Sequence, residues 1–316
     1  MNQVLKELTT LQSKTNLPNA GFENLDDAAI YSLGDDRILL QTVDFFTPIV
    51  DDPFTFGEIA AVNSLSDIYA MGGKPLFALN VTAFPSEDLP ISTLVDILKG
   101  GESIAKKIGI QVLGGHTIKD KEPKYGWVVT GEVSESGLTA NNTAKPGDAL
   151  ILTKPLGSGI ITTAIKKDIA DQNMTETVIQ TMRTLNDTAS QAMGEIGVHA
   201  ATDITGYGLL GHLLEMCKGS GVSSTIEFDK IPFLNGVMEL ANNGVIPGGT
   251  KQNLDYVSPY LSFSEILNDA KKYLLADAQT SGGLLISVPS DKKNELMDRL
   301  RSLGTLAYSV IGKITE

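Results

Sequence analysis

The 316 residues carry 38 acidic and 25 basic side chains, for a formal net charge of −13, and 42% of them are hydrophobic. This is the composition of a folded chain long enough for two domains, and its acidity argues against nucleic-acid binding through overall charge. The single cysteine excludes an intrachain disulfide and a zinc site of several thiolates, and no apolar run reaches the ~18 residues of a membrane span, so we expect a cytoplasmic protein without nucleic-acid or membrane partners.

The first half of the chain alternates strand and helix patterns. Residues 1–20 are polar, with a short helical spacing of leucines. Runs rich in branched apolar residues predict strands over 37–43, 76–83, 110–113 and 127–133. Apolar residues recurring at intervals of three and four predict helices over 56–71 and 94–108. The glycine pair at 114–115 is interpreted as a turn between two of the strands.

The second half continues this alternation after a turn-rich segment, residues 141–148, which we interpret as a domain boundary. Long helices are predicted over 175–196 and 208–218. Strands are predicted over 149–153, 200–204, 224–228, 284–288 and 307–311. The sequence therefore predicts an α/β protein with a polar segment at 1–20, an N-terminal domain at 21–148 and a C-terminal domain at 149–316.

Aspartates stand at or near the ends of predicted strands, where α/β folds build ligand sites. Asp26 and Asp27 precede a short apolar run, Asp44 ends the strand at 37–43, and Asp203 lies at the end of the strand at 200–204. Taken singly, each has an ordinary alternative as a helix cap or a turn residue. Taken together, they are the hard oxygen donors that magnesium prefers when it also binds substrate phosphates.

One further carboxylate lies inside a predicted helix. Asp67 follows Asn63 by four residues, so both side chains lie on one helix face, one turn apart. An ion pair with a nearby lysine is the structural alternative for Asp67. For Cys217 and His212, both in a helical stretch, we expect structural roles.

Two glycine-rich segments suggest anion binding. Gly114 and Gly115 lie just after a predicted strand, and the backbone N–H groups at Gly115, His116 and Thr117 are placed to face an anion if the chain turns there. Residues 206–211 match GxGxxG, with an acid about 20 residues further on, which leaves a dinucleotide site open by spacing. Against that site, the segment begins in mid-chain, directly after the sequence Asp-Ile-Thr. No GxxxxGK[ST] loop is present.

The chain resembles the selenophosphate synthetase (selenide, water dikinase) family of the aminoimidazole ribonucleotide synthetase-like, or PurM-like, ATP-binding superfamily. The blocks that carry this resemblance are DDAAIY (26–31), QTVDFFTPIVDDPFTFGEIAAVNSLSDIYAMGGKP (41–75), LGGHTI (113–118), LTKPLGSGI (152–160), TDITGYGLLGHLLEMC (202–217), PGGT (247–250) and DAQTSGGLL (277–285). They follow the family's order along nearly the whole chain.

The resemblance implies a two-domain PurM-like fold whose N-terminal mixed sheets pair in a homodimer. It implies an enzyme that makes selenophosphate from selenide, ATP and water, releases AMP and phosphate, and requires Mg²⁺. Magnesium ligands are implied at Asp27, Asp67 and Asp203. ATP contacts are implied at Asn24, Leu25, Asp26, Asp44, Asn63, Asp67, Gly115, His116 and Thr117.

The family's glycine-rich N-terminal segment, with a reactive Cys or selenocysteine and a Lys three residues later, has no counterpart in these residues. We interpret this as truncation and expect weak or no selenide-dependent activity, with ATP and magnesium binding retained. Two alternatives stay open from the sequence. One is another enzyme of the superfamily, such as a purine synthetase, a thiamine-phosphate kinase or a hydrogenase-maturation enzyme. The other is a nucleotide-binding homologue that has lost catalysis.

Overall fold

A computed structural model describes residues 26–316, which form two α/β halves, each built on its own sheet. The predicted helical segment within residues 1–20 lies outside the described residues, as do Asn24 and Leu25. The two halves meet along a buried helix, and the candidate site lies at this boundary.

The N-terminal half contains a five-stranded mixed sheet. Its strands are β1 (Ala29–Gly34), β2 (Arg37–Phe46), β3 (Lys74–Phe84), β4 (Gln111–Lys119) and β5 (Lys124–Ser134). The strand order is β1-β2-β5-β3-β4, with β3 and β4 parallel and every other neighbouring pair antiparallel. The predicted mixed sheet is therefore confirmed, and β1 is a strand that the sequence patterns did not reveal.

Two long helices cover the inner face of this sheet. They are α1 (Pro53–Ala70) and α2 (Ile91–Ile108). The α1 helix begins where the side chain of Asp52 accepts a hydrogen bond from the backbone N–H of Thr55 at 2.8 Å, and Pro53 occupies its first turn. It ends before Gly72, whose φ of 72° is in the left-handed region.

The α1 helix is buried on all sides from Phe56 to Ala70, because the sheet, α2 and the C-terminal half surround it. Its contact with α2 is very close. A Cβ atom added at Gly57 would lie 1.9 Å from the carbonyl oxygen of Ile97, and one added at Gly100 would lie 2.0 Å from that of Phe54. The glycines therefore let the two helix backbones touch, which fixes the position of α1.

The C-terminal half contains a second five-stranded sheet with the strand order β7-β9-β6-β10-β8, in which all neighbours are antiparallel. Its strands are β6 (Ala149–Leu152), β7 (Ala200–Asp203), β8 (Ser223–Ile226), β9 (Leu284–Val288) and β10 (Ser309–Thr315). Its helices are α3 (Ser158–Ile165), α4 (Gln172–Met182), α5 (Asp187–Ile196), α6 (Gly208–Ser220), α7 (Val237–Asn242), α8 (Gly248–Val257), α9 (Asp269–Leu275) and α10 (Lys293–Leu303).

The prediction of one helix over 175–196 is wrong, because α4 and α5 are separate helices. The amide of Asn186 is the reason: it turns inward and donates hydrogen bonds to Ser66 Oγ and to the carbonyl of Gly282, both at 2.9 Å. Nearby, the carbonyl of Thr184 accepts a hydrogen bond from Lys154 Nζ at 2.6 Å. These long-range contacts interrupt a sequence whose local pattern favours a continuous helix.

The predicted turn at Gly114–Gly115 is also wrong, since both glycines lie inside β4. Their φ values of 152° and 150° are accessible mainly to glycine. The ladder between β3 and β4 shifts register between Ala78 and Asn80, and a Cβ at Gly115 would lie 2.2 Å from the carbonyl oxygen of Asn80. The glycine pair thus serves an irregular strand pairing with close backbone contact.

A half-buried ion pair joins the two halves at α1. Arg183 donates from Nη2 to Glu58 Oε1 at 2.7 Å, and its Nε lies 2.7 Å from Glu58 Oε2. The Glu58 side chain is 8% exposed and that of Arg183 is 37% exposed, so removing Arg183 would leave a buried carboxylate without its partner. None of the helices within residues 26–316 combines the length and apolar character of a membrane span.

Candidate active site

Three carboxylates from separate parts of the chain converge at the boundary of the two halves. Asp27 precedes β1, Asp67 lies on the last turns of α1, and Asp203 ends β7. One oxygen from each lies within 4.8 Å of the others. Because α1 belongs to the N-terminal half and β7 to the C-terminal half, the cluster exists only when the halves are in contact.

Threonine hydroxyls orient two of these carboxylates. Thr42 donates from Oγ1 to Asp67 Oδ2 at 2.5 Å, and Thr202 donates from Oγ1 to Asp27 Oδ1 at 2.7 Å. The second oxygen of Asp27 and Oδ2 of Asp203 are buried without a hydrogen-bond partner. Buried carboxylate oxygens seldom stay unpaired, so these two are free to bind a cation.

A second group of polar side chains adjoins the cluster. Asn63 donates from Nδ2 to Asp44 Oδ2 at 2.7 Å, and its Oδ1 accepts from the backbone N–H of Ser281 at 2.9 Å. Asp26 accepts from the backbone N–H of Asn141 at 3.2 Å. Asn63 therefore connects the N-terminal carboxylates to the loop before β9 in the C-terminal half.

Burial dominates the electrostatics of these acids. It raises the pKa of Asp203 to about 7 and that of Asp26 to about 6. The pKa values of Asp27 and Asp67 rise well above the ordinary range, first because of burial and second because of the Asp203 charge. Burial likewise raises the pKa of Asp44. Closely spaced carboxylates in a low-dielectric site resist ionisation unless a cation joins them.

One buried cation lies near this acidic group. The ammonium of Lys154 donates to the carbonyls of Thr184 and Ser281 at 2.6 Å and 2.8 Å. Burial lowers the pKa of Lys154 to about 7, while the charges of Asp203 and Asp187 act in the opposite direction. A single ammonium does not balance the carboxylates, and two buried carboxylate oxygens of the cluster have no partner, so the cluster fits a divalent ion such as Mg²⁺.

The structure brings together most of the site residues that the sequence analysis identified. The described members of this group are Asp26, Asp27, Asp44, Asn63, Asp67 and Asp203. Gly115, His116 and Thr117 lie apart from it. They belong to the edge strand β4, and β3 and β5 separate that strand from Asp44 on β2. At ~4.8 Å per strand, this places them about 14 Å away across the sheet.

The sequence analysis missed the residues that support the carboxylates. Thr42 precedes Asp44 by two positions on β2, so the two-residue period of a strand places both on one face. Thr202 adjoins Asp203, and Lys154 follows the fully buried strand β6. A lone lysine directly after an apolar strand was the one available signal for the buried ammonium.

The structural roles expected for His212 and Cys217 are confirmed. His212 Nε2 accepts a hydrogen bond from the backbone N–H of Thr205 at 3.2 Å, and burial lowers its pKa to about 4. The neutral imidazole therefore fixes the turn that follows Asp203. The Cys217 thiol is buried, and this raises its pKa, so it is a poor nucleophile.

Comparison with known proteins adds two family matches. Residues 25–133 match the model for the N-terminal domain of AIR synthase related proteins, and residues 145–316 match the model for their C-terminal domain. Both members of the carboxylate cluster that face each other across the boundary, Asp67 and Asp203, lie inside these matched regions.

Curated relatives align with almost the whole chain. The selenide, water dikinase of Carboxydothermus hydrogenoformans is 52% identical over 315 residues, covering 99% of this chain and 90% of that protein. The selenide, water dikinase of Myxococcus xanthus is 50% identical over 296 residues, with 93% and 84% covered. That of Clostridioides difficile is 47% identical over 310 residues, with 97% and 88% covered.

Solved structures share the fold at much lower sequence identity. Thiamine monophosphate kinase from Aquifex aeolicus superposes with a TM-score of 0.72 at 19% identity, covering 100% of this chain and 94% of that one. The hydrogenase maturation protein HypE in complex with ATP gives a TM-score of 0.69 at 17% identity, covering 95% and 82%. At this identity the similarity establishes the two-domain architecture.

Proposed function

The chain belongs to the selenide, water dikinase family, and from this membership we propose that its buried aspartate cluster is the site of phosphoryl transfer from ATP. We infer that the enzyme makes selenophosphate from selenide, ATP and water and releases AMP and phosphate. The convergence of Asp27, Asp67 and Asp203 at the boundary of the two halves carries this proposal. A cytoplasmic location is part of it and is supported by the single cysteine.

The other enzymes of the superfamily are not favoured as alternatives. Relatives at 41% to 52% identity over nearly the whole chain are selenide, water dikinases, whereas the thiamine monophosphate kinases are similar only in fold at 18% to 19%. ATP as the phosphoryl donor is supported by the family name, dikinase. Selenide as the acceptor is the more specific part of the proposal, and it depends on the relatives alone.

Mg²⁺ fits the cluster, and Asp27, Asp67 and Asp203 would hold it. When bound, the ion supplies positive charge that offsets the repulsion between the carboxylates and the phosphate oxygens and stabilises charge on the transferring group. The two buried oxygens without partners, on Asp27 and Asp203, support this assignment. Asp26, Asp44 and Asn63 lie beside the cluster and are proposed to contact the nucleotide, as are Asn24, Leu25 and residues 115–117.

The protein's own groups position the reactants. Thr42 and Thr202 hold one oxygen of Asp67 and one of Asp27, so that the remaining oxygens point into the shared space. Asn63 keeps Asp44 aligned and ties the N-terminal half to the backbone at Ser281. Burial of the site limits access of water, which matters because the reaction uses water only after the first phosphoryl transfer. Such positioning accounts for most of catalysis in phosphoryl transfer.

The homodimer is proposed to form through the outer face of the N-terminal sheet. On this face Tyr31, Val43, Phe45 and Leu113 are 68%, 55%, 49% and 59% exposed. On β2, Val43 and Phe45 alternate with more buried side chains that face the inner helices. An exposed apolar patch therefore lies on the outer face of the sheet, which also carries Arg37 and Gln41. A large exposed apolar patch of this kind is typical of a protein interface.

Replacing Val43 by lysine is expected to convert the dimer largely to monomer, because the ammonium would be buried against an apolar surface without a partner. Sedimentation velocity measures the change. Ile266→Asp is the matched control, since Ile266 is 82% exposed in the C-terminal half and lies outside this sheet. A native protein that sediments as a monomer, or a Val43→Lys variant that stays dimeric, would contradict the proposed interface.

The products of ATP turnover test the proposed function. With ATP, Mg²⁺ and selenide under anaerobic conditions, we expect any turnover, however slow, to give selenophosphate, AMP and orthophosphate in equal amounts by ³¹P NMR. A thiamine-phosphate kinase type of reaction would instead leave ADP as the final nucleotide. Accumulation of ADP without AMP, or nucleotide binding that needs no divalent ion, would count against the proposal.

A further inference from the structure

A cleft of about 470 Å³ opens between the two halves, away from the aspartate cluster. Its walls are the end of α1, the end of α2, the start of β3 and one face of α5. Tyr69 lines it, and because Tyr69 follows Asp67 by two residues, the two side chains lie on nearly opposite faces of α1. Small-molecule sites commonly have volumes of ~300–1,000 Å³ and lie between domains, so the size and place both suit a ligand.

Two hydroxyl groups at the wall of this cleft make no hydrogen bond to the described part of the protein. They belong to Tyr69 and Ser190, which are 7% and 9% exposed as whole residues. Neither hydroxyl oxygen is among the buried unpartnered atoms of residues 26–316, so both are open to the cleft. Each can donate and accept, so a ligand in the cleft has two hydroxyl groups available for hydrogen bonds.

The cleft also carries exposed charged groups that form no ion pair. Lys74 and Lys107 line it, and neither lies within ion-pair distance of an acidic residue in the described part of the chain. Asp187 lines it too, and its carboxylate accepts the backbone N–H of Thr188 at 2.8 Å. The Asp187 charge also acts on the buried Lys154, but no ion pair holds the carboxylate, so the cleft presents two ammonium groups and one carboxylate to a ligand.

Most of the remaining wall is apolar. Pro75, Ile108, Ile110 and Leu185 line the cleft, together with the amide of Gln191. A ligand that fits must combine acidic groups, one basic group and a short hydrocarbon skeleton. Simple inorganic anions lack a basic group that could pair with Asp187.

We propose that this cleft binds a small amphoteric acid of the amino-acid type, with carboxylates at Lys74 and Lys107 and its ammonium at Asp187. A dicarboxylic amino acid matches the charge pattern in full, since it carries two negative groups and one positive group. The hydroxyls of Tyr69 and Ser190 bind its oxygens. None of these residues belongs to the aspartate cluster, so this proposal stands or falls separately from the phosphoryl-transfer site.

The test is a titration of the full chain with L-glutamate, followed by methyl NMR of protein labelled at isoleucine. We expect saturable shifts of Ile108 and Ile110 with a Kd of about 1 mM or tighter. Asp187→Asn and Lys107→Gln are each expected to raise the Kd at least about tenfold, or 1.4 kcal/mol, through loss of a charge-assisted contact. Glutarate, which has the same skeleton without the amino group, should bind at least about tenfold more weakly than L-glutamate.

Lys106→Gln is the matched control for Lys107→Gln. Lys106 occupies the same last turn of α2 but lies outside the cleft, with Nζ 3.8 Å from Glu102 Oε1. Asp269→Asn is the control for Asp187→Asn, because Asp269 also begins a helix and lies elsewhere. Absence of saturable shifts at Ile108 and Ile110, equal binding of glutarate, or equal loss in a variant and its control would each overturn the proposal.

Discussion

Replacing Asp67 by asparagine is expected to lower the affinity for ATP in the presence of Mg²⁺ by at least about 100-fold. Substituting a residue that only hydrogen-bonds to a metal ligand typically lowers metal affinity or activity by about 10–100-fold, and Asp67 is itself proposed as a ligand. The amide is nearly the same size and still accepts the hydrogen bond from Thr42, so the loss reports the charge rather than the packing. Isothermal titration calorimetry with and without Mg²⁺ measures it.

The same substitution is expected to stabilise the metal-free protein. Burial and the Asp203 charge raise the folded-state pKa of Asp67 above its unfolded value. The stability that this gives is present below the unfolded pKa and is lost as pH rises through the folded pKa. The amide of the variant does not ionise, so its stability does not fall with rising pH in this way. The midpoint of thermal unfolding at alkaline pH without Mg²⁺ should therefore be higher than in the native protein.

Asp88→Asn, at an exposed position far from the cluster, is the control for both measurements and should change neither. An Asp67→Asn protein that binds ATP with Mg²⁺ as tightly as the native protein would remove Asp67 from the site. Lower stability without Mg²⁺ would show instead that the carboxylate is satisfied by the protein alone.

Gly100→Ala is expected to destabilise the protein by about 3 kcal/mol, although alanine is the better helix former. The new Cβ would lie 2.0 Å from the carbonyl oxygen of Phe54 and 2.9 Å from the backbone nitrogen of Glu58. Both atoms belong to the backbone of α1, so α1 and α2 must move apart to make room for the new methyl group. Urea unfolding measures the loss of free energy.

Gly194→Ala is the matched control, since Gly194 also lies within a helix and a Cβ there would meet no atom within 4 Å. We expect that variant to be unchanged or up to ~1 kcal/mol more stable. If both variants unfold at the same urea concentration, the close contact between α1 and α2 does not fix the helix that carries Asp67.

The sequence predicted the alternation of strands and helices well where a local period was strong, as in α2 and β9. It failed where distant groups decide the outcome. The side chain of Asn186 ends a helical pattern by bonding to Ser66 and Gly282, and Gly115 stays in a strand because Asn80 approaches it. Such contacts join residues far apart in the chain, so the local spacing of apolar and polar residues does not predict them.

The aspartates of the candidate site were predictable from the sequence, but the neighbouring side chains that orient or balance them were not. Aspartates at strand ends are conspicuous, and the family resemblance gave them roles before their positions were known. Thr202 and Lys154 depend on the packing of two halves against each other, which composition and spacing do not describe. The place of residues 115–117 depends on strand order, which the sequence patterns also left open.

The origin of Asp67 and Asp203 in different halves has a thermodynamic consequence. An ion that binds both carboxylates also holds the halves together, so ion affinity and the strength of the boundary are reciprocally linked. Whatever loosens the boundary, including loss of the Glu58–Arg183 pair, weakens the ion's grip by the same free energy by which the ion strengthens the boundary. The bound ion would thus stabilise the contact between the two halves in addition to its role in the reaction.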